Sequence, residues 1–434
     1  MFATPNQLVY TRQVVDPIAG GKVTAKFGRY NLAHLSALDE QPGSDAGFTV
    51  TRLRRDIGSN STAGATLTTR DRSGAFNRVA AADLRVVFAK LYYVGGQLGG
   101  SWTRQSSAGT TRSSPLWEAE LDRTGRSFGF NYKLTGIGED FDAQAGFVPR
   151  NDLVNAHVFN RVSFYGSRGA LVEQISIFGG PTRLWHYQRF LGNSIEGSES
   201  FDLNLAIRGG WRATAHAERD FVDFEPDDYA DYQVNRGGVF TPYRPLGGVS
   251  DGFGVNAAVT TPTYRSFNAT AKISRGRGGI FAEGSKGYET RLTSSLSLRP
   301  TASIRVVGSA TFSRITRDRD GSEFARTVIP RLKLELQPRR SLFFRVVGEY
   351  ISERRSVLAD ARTGDPLVLG GSLSTPQESN RLRLDWLASF EPSPGTVAFF
   401  GYGTSLDDSR PFGFRRIQRA SDGFFVKLAY QIRR

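Results

Sequence analysis

Tyr288-Glu289-Thr290-Arg291-Leu292-Thr293-Ser294-Ser295-Leu296-Ser297-Leu298-Arg299 is the stretch that decides the fold. Its even positions Tyr288, Leu292, Leu296 and Leu298 are apolar, and the odd positions Glu289, Arg291, Thr293, Ser295, Ser297 and Arg299 are polar or charged. A period of two marks an extended strand with one greasy and one wet face. The next segment repeats it, with Ala302, Ile304, Val306, Ala310 and Phe312 against Ser303, Arg305, Ser309, Thr311 and Ser313.

The pattern recurs along the chain. Phe128, Phe130, Tyr132 and Leu134 alternate with Ser127, Gly129, Asn131 and Lys133, and Phe201, Leu203, Leu205 and Ile207 with Asp202, Asn204 and Arg208. Val328, Leu332, Leu334 and Leu336 face Arg331, Lys333 and Glu335, and Leu382, Leu384, Trp386, Ala388 and Phe390 face Arg381, Arg383, Asp385 and Ser389. A soluble antiparallel sandwich alternates in the same way, with its apolar side as the core. Sandwich strands usually run about 5 to 6 residues, whereas these run roughly 9 to 13, the length that crosses a bilayer at a tilt.

The connections add a second argument. Tight ones are marked at Gly28-Arg29, Gly58 to Asn60, Ala89-Lys90, Gly125-Arg126, Gly166 to Gly169, Gly209-Gly210, Thr261 to Ser266, Arg299 to Thr301, Gln337 to Arg340 and Glu391 to Gly395. Polar, Asp/Gly/Ser-rich stretches lie between them: Leu38 to Ala46, Arg104 to Ser114, Asp220 to Asp251, Ile315 to Glu323, Ser352 to Gln377 and Asp407 to Asp422. Short turns at one end and long loops at the other describe an outer-membrane barrel. With a strand near Leu8 to Gln13 and a last one from Phe424, the reading is an all-β, closed antiparallel transmembrane β-barrel. It has about 22 strands, an even number that turns both termini to the periplasm. One barrel domain fills residues 1–434, in the bacterial outer membrane, with the lipid bilayer and the outer-membrane assembly machinery as partners.

Composition agrees. The chain has 48 glycines, 12% aromatic residues and no cysteine, which excludes disulfides, Cys-ligated zinc and thiol catalysis. No segment approaches the run of about 20 apolar residues that a membrane helix needs. The net charge of +14 comes largely from arginines spread at alternate strand positions, not gathered in one tract, so nucleic acid is not an expected partner. Tyr92, Tyr93, Trp102, Trp117, Trp211, Trp386, Phe399, Phe400 and Tyr402 near strand ends suit interfacial girdles. Met1 to Asn6 carry no secretory signal, so an exported protein requires residues upstream of Met1.

Three segments carry a family resemblance: Val9-Tyr10-Thr11-Arg12 with Asp16-Pro17-Ile18-Ala19-Gly20-Gly21-Lys22; Leu53-Arg54-Arg55-Asp56-Ile57-Gly58-Ser59-Asn60-Ser61; and Gly136-Ile137-Gly138-Glu139-Asp140-Phe141 with Ala145-Gly146-Phe147-Val148-Pro149-Arg150. They resemble the C-terminal barrel of the bacterial family called domain of unknown function 5916. The resemblance implies a barrel fold, and a periplasmic partner module similar to carbohydrate-binding family 9 upstream of these residues. It brings no catalytic residues. The final strand, where Phe424, Val426, Leu428, Tyr430 and Ile432 alternate with Phe425, Lys427, Ala429, Gln431 and Arg433, resembles the terminal strand that barrel-assembly machinery reads. It departs from that pattern in ending on Arg433-Arg434.

Candidate chemistry is sparse, and no cofactor is implied. His34, His157, His186 and His216 form no spaced metal pair, although His216 shares a polar face with Arg212, Thr214 and Glu218. The acidic run Asp220, Asp223, Glu225, Asp227, Asp228 and Asp231 offers hard oxygen donors for calcium but lacks the EF-hand glycine and spacing. It reads better as a solvated loop, and Glu139, Asp140 and Asp142 form a weaker version. The wet face is more informative, since Glu289, Arg291, Arg305, Arg331, Lys333, Glu335, Arg345, Glu349, Arg381, Arg383 and Asp385 would line a lumen whose excess of cations favours anionic solutes. An interlocked Arg-carboxylate network that shuts the pore is the competing reading. The functions in play are a channel, an exporter or an anchor for a periplasmic module. A receptor of the TonB-dependent size without its plug and a barrel-housed enzyme are the alternatives.

Overall fold

The computed structural model describes residues 3–408, 410–413 and 417–430. Among them lies one 21-stranded sheet of antiparallel neighbours and a separate 4-stranded sheet. No helix is long and apolar enough to cross a membrane. The large sheet begins with β1 (Pro17–Phe27), β2 (Tyr30–Asp39), β3 (Ala46–Ile57), β4 (Ser61–Arg72), β5 (Ala75–Phe88), β6 (Tyr92–Arg104), β7 (Arg112–Thr124), β8 (Phe128–Ile137), β9 (Leu153–Tyr165) and β10 (Val172–Trp185). Then come β11 (Glu196–Ile207), β12 (Trp211–Asp223), β13 (Tyr232–Arg236), β14 (Val239–Pro242), β15 (Gly248–Thr260), β16 (Phe267–Ile280), β17 (Ser285–Thr301), β18 (Ile304–Arg317), β19 (Glu323–Arg339) and β20 (Leu342–Arg355). β21 (Leu367–Leu369), β22 (Ser372–Leu373), β23 (Gln377–Ser393), β24 (Thr396–Asp408) and β25 (Gln418–Ala429) complete the chain. β13, β14, β21 and β22 make the small sheet.

The tight connections fall where the sequence marks them, within a few residues. Gly28 takes φ +58° between β1 and β2, a left-handed value that glycine adopts without a Cβ penalty. The turn after β17 comes slightly later than the marked Arg299 to Thr301, since Thr301 still pairs with Ile304. One expected strand is absent. Leu8 to Gln13 forms no strand; Thr11–Gln13 is a 3-10 turn and Leu8 is fully buried. Its backbone partners are Gln7 and Tyr10 bonded to Phe147 and Ala145, which leaves no edge for a sheet ladder. The first strand therefore starts at Pro17, at the end of the sheet where the long connections lie, whereas β25 runs toward the tight-turn end. Gln431 to Arg434, including Ile432, lie outside the described residues.

Along the strands, the apolar face is the exposed one. On β5 and β6 the buried side chains are Asn77, Val79, Gln97 and Ser101, while Leu84 and Leu98 on the opposite face are exposed, Leu98 at 70%. On β17 to β19, Leu292, Leu296, Leu332 and Leu334 are likewise exposed. This removes the sandwich reading, in which the apolar side would be the core. Most of the girdle aromatics stand on the apolar face, where Trp386 meets Phe400 edge to face at 5.2 Å. Tyr93 does not. Its hydroxyl donates to Glu120 at 2.6 Å on the polar face, and Phe399 shares that side by its register opposite Ser389.

By contact density the chain forms two compact units, residues 1–163 with 178–199, and residues 164–177 with 200–434. In the first, two apolar clusters lie on the polar side of the sheet. One gathers Leu8, Val79, Leu116, Ile137, Phe141 and Leu184, and the other Ala46, Phe48, Val50 and Ala145. In the second, the long connections after β12 and β20 fold into a cap around the small sheet, with Phe224, Tyr229, Val234, Tyr243 and Leu367 in its core. Below that core, Glu283 and Arg317 form a buried ion pair, and Glu283 also accepts the Ala359 amide at 2.9 Å.

Candidate functional site

In the second unit the antiparallel register gathers the charges singled out in the sequence onto one face. Arg305 of β18 lies opposite Glu335 of β19, which lies opposite Arg345 of β20. Arg331 lies opposite Glu349, and Glu349 opposite Arg383 of β23. Lys333 and Asp385 both oppose Val347. The contacts are Lys333 to Glu335 at 2.8 Å, Arg331 to Glu349 at 3.5 Å, Arg305 to Glu335 at 3.7 Å, Arg291 to Glu289 at 2.6 Å and Arg381 to Asp407 at 3.0 Å. The arginines of these pairs remain 42–52% exposed. Half-solvated pairs of this kind contribute about 0 to 1 kcal/mol each; Lys333 and Glu335 are less exposed, at 24% and 19%, and along the ladder cations outnumber carboxylates.

Nearer the long-loop end of the same face the charge changes sign. A cavity of about 520 Å³ is lined by His216, Glu218, Asp220, Asn256 and Glu289 over a floor of Gly254 and Gly276. His216 Nδ1 meets Asp202 at 2.9 Å, and its Nε2 lies 3.4 Å from Glu218. A side chain at Gly252 would strike the Asp220 carboxylate, which explains why β15 is glycine-rich there.

The remaining acidic candidates do not converge on this point. Asp223 ends β12, and Asp227 and Asp228 sit in the first turn of a 3-10 helix, Pro226–Tyr229. Among the described residues no group of three or more His, Asp or Glu side chains is arranged to hold a metal ion. The other histidines are hydrogen-bonded elsewhere: His186 to Asp152 at 2.8 Å, His157 to Thr182 at 3.0 Å, and His34 to Thr51 and Ser36. His34 touches a serine, but its second nitrogen meets a threonine and not the carboxylate that would orient a nucleophile's base.

The first unit holds a site that the sequence reading misses. Its own N-terminal segment lies across the polar face of β5 to β7. Asn6 donates from its backbone and side chain to Gln97 Oε1 at 3.0 and 2.9 Å, and to Glu118 Oε2 at 2.9 Å. Lys133 neutralises Glu118 at 2.9 Å. The connection between β8 and β9 clamps the segment from above. Tyr10 N–H donates to the Ala145 carbonyl and Phe147 N–H to the Gln7 carbonyl, both at 2.8 Å. A Cβ at Gly146 would come within 2.7–2.8 Å of the Gln7 and Leu8 backbone, so glycine is needed for the two segments to meet. Two of the stretches that carry the family resemblance are therefore packed against each other. Below them, Arg52 grips Asp83 through two bonds of 2.7 and 2.9 Å and Thr66 at 2.7 Å, with Arg52 only 3% exposed. The available signal was a lone polar residue at inward parity, such as Gln97 within Gly95-Gly96-Gln97-Leu98-Gly99-Gly100.

Solved structures resemble this arrangement over nearly the whole chain. A copper transporter, OprC, matches with a TM-score of 0.54 at 9% identity, over 95% of this chain and 79% of that one. The likeness is one of fold. The ferric preacinetobactin receptor BauA of Acinetobacter baumannii matches with a TM-score of 0.53 at 10% identity, over 95% and 77% of the two chains. The siderophore receptor PirA of the same organism gives 0.53 at 10% identity, over 96% and 79%. No family model and no curated protein sequence matches the chain.

Proposed function

We propose that the large sheet closes into a barrel in a bacterial outer membrane and conducts a solute along the cation-rich wall of the second unit, with the long connections facing outward. The observation that carries this reading is the burial along the strands: leucines on the apolar face of one strand after another are exposed, while Asn77, Gln97, Glu118 and Arg52 on the polar face are buried. Lipid is the solvent in which that distribution is stable. The motif resemblance to domain of unknown function 5916 supports the same fold and adds a periplasmic module as a companion. The alternation from Phe424 to Tyr430 in the last strand supports insertion by the outer-membrane assembly machinery.

Planar-bilayer recording tests the passage. Under a salt gradient the reversal potential is expected to show anion preference, and the pair Arg331→Glu with Arg345→Glu is expected to shift it toward cations. Cation preference in the unaltered chain would overturn the lining. A polypeptide that folds freely in water without detergent would overturn the compartment.

A second reading, a receptor for a small solute, draws on the cap and the 520 Å³ cavity beside His216, and on the fold likeness to a ferric preacinetobactin receptor and a siderophore receptor. It expects ligand-dependent protection of His216 from chemical modification. Equal modification with and without every candidate solute removes it.

A further inference from the structure

On the apolar face of the second unit, at its long-loop end, one lateral row runs across five strands. Arg275 of β16 lies opposite Thr290 of β17, Thr290 opposite Arg314 of β18, Arg314 opposite Arg326 of β19, and Arg326 opposite Arg354 of β20. Like charges directly opposite each other on neighbouring strands destabilise a sheet. A single carboxylate, Glu323, serves two of them, 3.0 Å from Arg314 and 3.3 Å from Arg326. Arg314 is 50% exposed and Arg326 44%; Glu378 of β23 lies opposite Arg354 and closes the row, and no ion pair within 4 Å joins the two among the described residues. One level further out the situation is different. Arg277 and Lys286 are already held by Asp251 and Asp318. Four arginines stand against Glu323 and Glu378, so the row keeps a net positive charge.

Immediately toward the tight-turn end, the same face is hollowed. Ala271, Ser294, Ala310 and Pro330 succeed one another across β16 to β19 in the ladder registers, and they floor two adjoining grooves of about 600 and 810 Å³. Leu292 and Phe312 wall them on the arginine side, and Leu296 and Leu332 on the other. Ala310 is four residues from Arg314, about 14 Å along an extended strand. The surface therefore presents forked cations at one level and an apolar trough directly beneath them.

We propose that this surface binds a phosphorylated lipid of the leaflet at the long-loop end, with its phosphate on Arg314, Arg326 and Arg354 and an acyl chain in the Ala310 groove. The proposal rests on the membrane reading above. Guanidinium forks match phosphate oxygens in pairs, and an anion over the row relieves the repulsion between adjacent strands. A lipid, and not a free anion, is the occupant because the row and the trough form one surface on the face whose leucines are exposed.

The test uses the full chain in detergent, observed by native mass spectrometry with lipid A, phosphatidylcholine or inorganic phosphate as the probe. Retention of lipid A over phosphatidylcholine is expected, and the triple variant Arg314→Gln, Arg326→Gln, Arg354→Gln should lower it by about tenfold or more. Ala310→Trp, which fills the trough and leaves the cations, should lower lipid A retention as well. Arg339→Gln with Arg340→Gln, at the tight-turn end, should leave it unchanged. The proposal is overturned if the triple variant retains lipid A like the parent, or if inorganic phosphate displaces lipid A completely at equal concentration. Failure of the membrane reading looks different: the parent would then float with no vesicle, neutral or anionic, whereas failure of this proposal alone leaves it floating with phosphatidylcholine vesicles.

Discussion

The two units treat the same polar face in opposite ways. In the first, the face is covered by the chain itself: Asn6 sits on Gln97 and Glu118, Leu8 is buried among Val79, Leu116 and Phe141, and the Arg52–Asp83 pair is sealed beneath. In the second, comparable Arg-carboxylate pairs stand in the open, and cover is confined to the cap held by Glu283 and Arg317. Chemistry alone does not distinguish the two ion-pair sets. Access to water does, and it sets both their energetic weight and the role left to each surface.

The sharpest way to break the comparison is to remove one arginine from each set. Arg52→Ala leaves Asp83 buried without its partner and is expected to cost about 3–5 kcal/mol, read as a lowered denaturation midpoint in detergent. A loss below about 1 kcal/mol would show the first unit's face to be as wet as the second's. Gly146→Val comes next. Its side chain collides with the Gln7 and Leu8 backbone, at an expected cost of about 1–3 kcal/mol. Faster hydrogen exchange at the Tyr10 and Phe147 amides would report that the segment has lifted, and unchanged exchange there would contradict the clamp.

A smaller effect comes from acid, in the cap. Burial raises the Asp360 carboxyl, but the Arg362 amide, the Thr363 hydroxyl and Arg236 outweigh it and hold the group below its ordinary range. A depressed folded-state value means the contribution is complete above the usual aspartate value of about 3.9 and is lost as the pH falls through the lower folded value. Asp320 is depressed likewise, by the Ser322 and Arg319 side chains and the Ser322 amide. Exchange in residues 356–376 should therefore rise below about pH 4, and Asp360→Asn should remove much of that pH dependence. The least effect is expected from Arg331→Ala, about 0–1 kcal/mol, with the change appearing in ion preference and not in stability.

Much of this was legible in the sequence, for a physical reason. Strand parity is local, so Tyr288 to Arg299 alone fixes which side chains share a face, and the gathering of Arg305, Glu335 and Arg345 follows from turn positions that glycine and proline mark. The N-terminal segment was not legible. Leu8 to Gln13 has a strand-like composition, and its departure from the sheet depends on Ala145 to Phe147, more than a hundred residues away, and on the bare backbone of Gly146. The arginine row escaped for a related reason: Arg275, Arg314, Arg326 and Arg354 fall into one row only once four registers are known.

Hairpin by hairpin, most of the large sheet can be laid down between sequence neighbours, a low-contact-order route that needs no distant partner. The Leu8 cluster cannot form that way, because it includes Leu184 and so waits for ten strands to be synthesised and zipped. Until those strands are paired, Leu8 and the side chains that bury it stay exposed, and the chain must be kept from aggregating until that docking.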